Sequence, residues 1–404
     1  MNGEVVALAL DGSGDLYAGG LFTTAGGVSA SRIAKWDGSS WTNLGSGVNG
    51  GVIALALDGS GDLYAGGLFT TAGGVSASRV AKWDGSSWTN LGSGMDDRVN
   101  ALALDGAGNL YAGGHFSTAG GTLAENVAHW DGSNWTNLGS GVSSTVYALA
   151  TDGAGNLYAG GWFTAAGGVS ANHIAKWDAS NWTALGSGLN DDVHSLAADG
   201  LGSLYAGGVF SAAGGAWANG IAKWDASSWT ALGSGLNDDV HSLAADGLSS
   251  LYAGGEFTMA AGALADHVAR WDGSSWTNLG SGMNNSVDAL VADGLGNLYA
   301  GGPFTTAGGV SASRIAKSDG SSWTNLGSGV KKQLALVQAH GIGAACDMQR
   351  TLRIIRPDSD LAVRIHRNTA HIDGKRCRHE PFPWHEFGIC PELDPQPSVR
   401  AERV

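Results

Sequence analysis

Seven tyrosines, Tyr17, Tyr64, Tyr111, Tyr158, Tyr205, Tyr252 and Tyr299, stand 47 residues apart, and each is followed at the same offset by a glycine pair, from Gly19-Gly20 to Gly301-Gly302. A chain made of copies of one unit has to fold as an array in which every copy makes the same contacts with its neighbours. A Trp-Asp pair recurs later in each copy, at Trp36, Trp83, Trp130, Trp177, Trp224 and Trp271, with a second tryptophan five residues on, as at Trp41 and Trp88. The seventh copy has Ser318 in place of the first tryptophan and keeps Trp323.

Each copy contains four short apolar runs. In the first copy, Val5 to Leu10 and Leu16 to Phe22 are joined by Asp11-Gly-Ser-Gly-Asp15, and Arg32 to Trp36 and Trp41 to Leu44 by Asp37-Gly-Ser-Ser40. Both links have the Gly and Asp content of tight hairpins. The unit is therefore expected to be a four-stranded antiparallel meander. Such a sheet is apolar on both faces and buries them only against neighbouring copies. Seven copies predict an all-β, seven-bladed β-propeller over residues 1–330, with an open solenoid as the alternative. In that arrangement the Gly pairs belong near the crowded axis, and the outer-strand tryptophans fill the wedge between diverging blades.

The spelling Leu16-Tyr-Ala-Gly-Gly20, a variable loop, then Trp36-Asp-Gly-Ser-Ser-Trp41, resembles the kelch motif, and with it the propeller repeats of fungal cortical polarity markers, of bacterial surface proteins and of the galactose oxidase propeller domain. Trp stands here where kelch repeats usually carry Tyr, which leaves the subfamily open. Asp105-Gly-Ala-Gly-Asn-Leu-Tyr111 is also similar to sensor-type propeller repeats. The resemblance implies a propeller and an extracellular or cell-surface location, although the chain shows no signal peptide. Copy one begins with its first strand and copy seven ends with its last, so blade one has to meet blade seven by side-chain packing alone, or else the chain is a fragment of a longer array, the reading preferred at this point.

Composition narrows the classes further. With 67 Gly an α-helical core is excluded, and 43% hydrophobic residues with 16 Trp argue against disorder. No apolar run approaches the ~20 residues of a membrane span. A net charge of −14 disfavours nucleic acid and anionic lipid as partners. Residues 331–404 differ abruptly: they hold all three Cys, six of the seven Pro and 12 of the 22 Lys and Arg, and no repeat. They read as a separate module, a disordered extension or translated sequence never selected to fold, the last two being preferred.

Several chemistries can be weighed residue by residue. Cys377, His379, His385 and Cys390 offer a zinc-type donor set, but at no familiar finger spacing. Asp11 to Asp15 has the look of a calcium loop, yet its second carboxylate becomes Asn109, Asn156, Ser203, Ser250 or Asn297 in other copies, and a hairpin explains the Asp and Gly without an ion. The likeness to galactose oxidase would suggest a copper oxidase, but the repeats contain no Cys. His115, His129, His173, His194, His241 and His267 occupy different repeat positions, and the recurrence of His194 at His241 falls inside a duplicated stretch, so it reads as recent copying. No catalytic residue, metal ligand or cofactor-binding residue is assigned, and no cofactor is implied.

Recognition remains. The two hairpins of each copy share one face of the propeller, and the longer links, around Thr23 to Ser31 and Gly45 to Gly51, share the other. Those links differ most between copies, as loops that carry binding do. The possible ligand-face residues are His115, Trp162 and Glu256 after the Gly pair, Trp217 as an additional aromatic, and Asp96, Asp97, Asp191 and Asp192 in the inter-blade links. The expectation is a monomeric, non-catalytic module that binds a protein or glycan through this face, without nucleic acid or membrane insertion. A structural or adhesive repeat array is the rival, and an oxidase-like enzyme the third reading.

Overall fold

The computed structural model describes residues 1–326 and one antiparallel strand pair, Ala370–Asp373 with Arg376–His379. The chain falls into two units, Met1–Lys331 and Lys332–Val404. Cys377 and His379 of the Cys377 to Cys390 donor set fall on the second of these strands, while His385, Cys390 and the other expectations for residues 331–404 concern residues outside those described.

The first unit is a seven-bladed β-propeller of four-stranded antiparallel blades. In blade one, Val5–Leu10, Leu16–Gly20, Ile33–Trp36 and Trp41–Asn43 pair in chain order, and blade seven ends the series with Ala289–Ala292, Leu298–Gly301, Ile315–Ser318 and Trp323–Asn325. The first strand of each blade is innermost and lies beside the first strand of the next. Ala289–Ala292 in turn lies beside Val5–Leu10, so the array is a ring and not an open solenoid. No helix occurs among the described residues. Among them, therefore, no helix is long and apolar enough to cross a membrane.

The repeat explains the core. Between blades one and two, Tyr17, Ile33 and Leu44 pack on Val52, Leu63, Ala65 and Phe69. Between blades seven and one, Tyr299, Ile315 and Leu326 pack in the same way on Val5, Leu16, Ala18 and Phe22. The outer-strand tryptophans add a hydrogen bond to this packing. Trp88 Nε1 donates to the Leu44 carbonyl of the preceding blade at 2.9 Å, and Trp135, Trp182, Trp229, Trp276 and Trp323 repeat the bond on Leu91, Leu138, Leu185, Leu232 and Leu279. Trp41 Nε1 closes the series on Leu326 at 2.5 Å. Blade one thus meets blade seven through the contacts used everywhere else, with no exchanged strand.

The glycine pairs sit at the end of the second strand, and the neighbouring blade defines the first of them. A Cβ on Gly19 would come within 2.5 Å of Val52 Cγ1 and 3.4 Å of Leu55 Cδ1. Val52 and Leu55 are three residues apart, so in a regular strand they would face opposite sides. A β-bulge between Val52 and Ala54 shifts the register and turns both toward the preceding blade. The same shift recurs in blades one to six. Its second effect is to release the residue at the bulge from the inter-blade core.

The two faces differ as their links do. On the hairpin face, Asp11 Oδ1 accepts from Ser13 N and Asp15 N at 2.9 Å, so the turn itself uses the carboxylate of the calcium-like loop. On the other face, Thr24–Ala25 and Val28–Ser29 form a small outer hairpin in blade one, with counterparts in every blade. Asn2 Oδ1 clips it by accepting from Thr23 N and Thr24 N at 2.8 and 2.9 Å.

Candidate binding site at the channel mouth

The bulge residues of the first six blades are Val6, Ile53, Asn100, Tyr147, His194 and His241, and Asp288 holds the equivalent place in blade seven. All seven are half-buried. They ring the axial channel at the end nearest the long links, where Val6, Ile53, Tyr147, His194 and Asp288 help to line a cavity of about 260 Å³. Deeper in, leucines at one repeat position, Leu8, Leu55, Leu102, Leu149, Leu196 and Leu290, line the same cavity, although most of its exposed lining is polar.

The ring is chemically divided. Blades one and two present Val6 and Ile53, and blades three to seven present a continuous polar arc. Asn100 Nδ2 donates to the Val146 carbonyl at 2.9 Å. Tyr147 meets His194 edge to face with ring centroids 5.4 Å apart, and His194 lies 5.9 Å from His241. His241 Nδ1 stands 3.4 Å from Asp288 Oδ1, and its Nε2 is 3.9 Å from Glu256 Oε1. Below the arc, Ser replaces the Ala of the other blades at two places: Ser195 Oγ accepts from Leu243 N, and Ser242 Oγ from Leu290 N, tying blades five, six and seven together.

The two histidines have opposite electrostatics. The hydrogen bond to Asp288 raises the pKa of His241 above the ordinary histidine value, even though burial opposes it. Burial, and then the nearby His241, lowers that of His194. Asp192 and Asp239, on the rim just before the bulge in blades five and six, are raised chiefly by burial. His173 Nδ1 lies 3.3 Å from Asp192 Oδ1 and 3.1 Å from the Gly161 carbonyl. Among the described residues no group of three or more His, Cys, Asp or Glu is arranged to hold a metal ion.

The residues expected from sequence divide between two locations. Glu256 joins the mouth through His241, and His115 joins its rim through a 3.0 Å contact of Nδ1 with Thr145 Oγ1. Trp162, at the same repeat position as His115 and Glu256, is 60% exposed and so is free of the neighbouring blade. Asp191 is exposed beside Asp192, with its Oδ1 accepting from Asp192 N, and Asp97 is exposed with its Oδ1 accepting from Arg98 N. Trp217 is 82% exposed but belongs to the outer hairpin of blade five, over the outermost strand and away from the mouth. Asp96 does a different job. Its Oδ1 accepts from Ser117 N and Thr118 N at 3.0 and 2.9 Å, the clip that Asn2 makes in blade one, so it is a structural residue of its own blade.

Sequence reasoning passed over Tyr147 and Asp288 and set His194 and His241 aside as the result of duplication. Superposing the seven copies isolates them, since each occupies a position that reads Val, Ile, Asn, Tyr, His, His and Asp around the ring while its flanks stay nearly constant.

No family model matches the chain, and no curated protein matches it in sequence. Solved structures do match in fold. The extracellular domain of BT4673 from B. thetaiotaomicron is similar with a TM-score of 0.52 at 14% identity, over 75% of this chain and 37% of that one, so this chain spans little more than a third of that domain. The WD40 repeats of RRP9 are similar with a TM-score of 0.51 at 13% identity, over 75% of this chain and 88% of theirs. U3-55K gives the same score and identity, with 89% of its chain covered. At these identities the likeness shows one thing, the propeller fold.

Proposed function

We propose that this propeller is a non-catalytic binding module that recognises a protein or glycan through its long-link face, with the channel mouth at the centre of the site. The observation that carries the reading is the divergence of the bulge ring. Seven copies keep their cores, turns and tryptophan bonds almost unchanged, and the deeper channel position is leucine throughout, yet at the bulge position at the mouth they differ and assemble a contiguous polar arc. A purely structural or adhesive array has no use for an asymmetric axis, so this observation weighs against that rival. The WD40 repeats and the extracellular domain among the structural neighbours are compatible with a binding role, and the latter with an extracellular or cell-surface setting; a monomeric state is part of the same proposal. The kelch-like spelling of the repeats is the subclass assignment that goes with this reading.

The test is a screen of the full chain on glycan and peptide arrays, repeated with Tyr147→Ala, Trp162→Ala and Trp217→Ala. Binding that is lost with Tyr147→Ala, reduced with Trp162→Ala and indifferent to Trp217→Ala is the expected result. Silence on both arrays, or binding that only Trp217→Ala removes, overturns the placement.

A further inference from the structure

We propose that the mouth receives the side chain of a lysine or arginine presented by a protein partner, with its methylene stem on Val6 and Ile53 and its cationic head among Asp288, Glu256 and His241. The proposal rests on the mouth being the binding site and names what enters it. Long basic side chains combine an apolar stem with a charged tip, and each part seeks a different surface. The mouth offers both surfaces side by side, because Asp288 of blade seven adjoins Val6 of blade one around the ring. Leu21 and Leu68, 54% and 49% exposed, extend the apolar arc outward on blades one and two. A cavity of about 260 Å³ suits one inserted side chain, since pockets for whole small molecules run to roughly 300–1,000 Å³.

Charge selects the tip. Glu256, Asp288, Asp239 and Asp192 surround blades five to seven, whereas of the arginines at this end Arg98 stands on blade three, and Arg32, Arg79 and Arg314 donate to the carbonyls of Val48, Phe69 and Met1 in the links. An anionic ligand would meet this field unfavourably, and a neutral sugar would leave it unused. Tyr147 and the two imidazoles add ring faces of the kind that attract cations.

The geometry also makes the bound cation compete with a proton. The groups facing His241 are His194 from blade five, Asp288 from blade seven, and Glu256 and Asp239 from its own blade. An imidazolium at His241 and an inserted ammonium would draw on the same two carboxylates, Asp288 and Glu256. Binding therefore expels the His241 proton, and affinity falls as the pH drops through the titration of that histidine.

The test uses the full chain and histidine imidazole NMR. The probes are Nα-acetyl-lysine amide and Nα-acetyl-arginine amide, with Nα,Nε-diacetyl-lysine amide as the same stem without charge. The cationic probes are expected to shift the His241 and His194 signals saturably and to lower the His241 titration midpoint, while the diacetyl probe does neither. Asp288→Asn should weaken binding about tenfold, as loss of a charge-assisted hydrogen bond does. Glu256→Gln, at an exposed side chain whose replacement leaves the core untouched, should weaken it about threefold. Equal binding of the diacetyl probe, no saturable shift with any probe, or indifference to both substitutions overturns the proposal. Array binding that depends on Tyr147 but ignores Lys and Arg in the peptide would overturn this proposal alone and leave the placement of the site standing.

Discussion

Gly160→Ala tests the contact on which every blade interface depends. Gly160 is the first glycine of the pair in blade four, and a Cβ there would lie 2.5 Å from Val193 Cγ1, 3.0 Å from its Cβ and 3.3 Å from Leu196 Cδ1. Carbon atoms rest at roughly 3.5–4.0 Å, so the overlap with Cγ1 is about 1 Å or more. Val193 is fully buried, and its β-branched side chain has little rotameric freedom with which to give way. The inner strand of blade five therefore has to move. Overpacking of this kind costs about 1–3 kcal/mol. Ala recovers about 0.4–1 kcal/mol of that by restricting the unfolded chain, since the backbone at Gly160 does not require a positive φ. The net loss is about 1 kcal/mol or somewhat more. Val193→Ala removes two buried methyl groups and costs about 2 kcal/mol. Independent effects would sum to about 3 kcal/mol, but in the double variant the new methyl occupies the space the valine vacates, so the loss should fall short of that sum by about 1 kcal/mol or more. Urea unfolding followed by tryptophan fluorescence, with midpoints compared at constant slope, measures all three. Gly161→Ala is the contrast, because its Cβ would meet the Thr145 carbonyl oxygen and no side-chain truncation can relieve it. A Gly160→Ala variant as stable as the parent, or strict additivity in the double variant, would refute this account of blade packing.

Trp41→Phe and Trp182→Phe each remove one buried N–H donor to a carbonyl of the preceding blade, and both should lower stability by about 1 kcal/mol. A negligible effect of Trp41→Phe beside a normal effect of Trp182→Phe, read by urea midpoints, would show that the seam between blades seven and one is not equivalent to the others. The histidine pair predicts opposite pH slopes. Burial lowers the pKa of His194, so its folded form resists protonation and costs stability as pH falls through the unfolded value; His194→Asn should flatten the acid limb between about pH 7 and about pH 5. The pKa of His241 is raised by Asp288, so its contribution is complete below the unfolded value and is lost as pH rises through the folded one; His241→Asn should be most damaging on the acid side. Parallel slopes for the two variants, from urea midpoints across that range, would contradict the assignment. On the hairpin face, Leu201, Leu248 and Leu295 are exposed at three consecutive turn tips where blades one and two carry Ser13 and Ser60. Replacing all three by Ser should leave the unfolding midpoint within about 0.5 kcal/mol of the parent while raising solubility, measured by precipitation in ammonium sulfate.

The architecture was legible because it is periodic. The Tyr-Ala-Gly-Gly and Trp-Asp spacings set the length of the unit, the Asp-Gly turns set the strand number, and seven copies set the blade number, all through contacts within one copy or between copies in register. Asp96 shows where local reading stopped. As a variable loop residue it looked like a surface contact, but the Asn at the same place in other copies, such as Asn2 and Asn49, marks it as a turn clip. His194 and His241 show the larger gap. They are 47 residues apart, so duplication accounts for them in one dimension, and only the ring brings their imidazoles to 5.9 Å and sets Asp288 against the second.

Sequence alone thus determined what repeats: strands, turns, core and the wedge-filling tryptophans, each fixed by short-range pattern and by identical neighbours. Tertiary structure decided what does not repeat. A β-bulge, which leaves no residue signature, turns one position per blade toward the axis, and closure of the ring sets Asp288 of the last blade beside Val6 of the first, joining an apolar and a charged arc that lie at opposite ends of the propeller sequence.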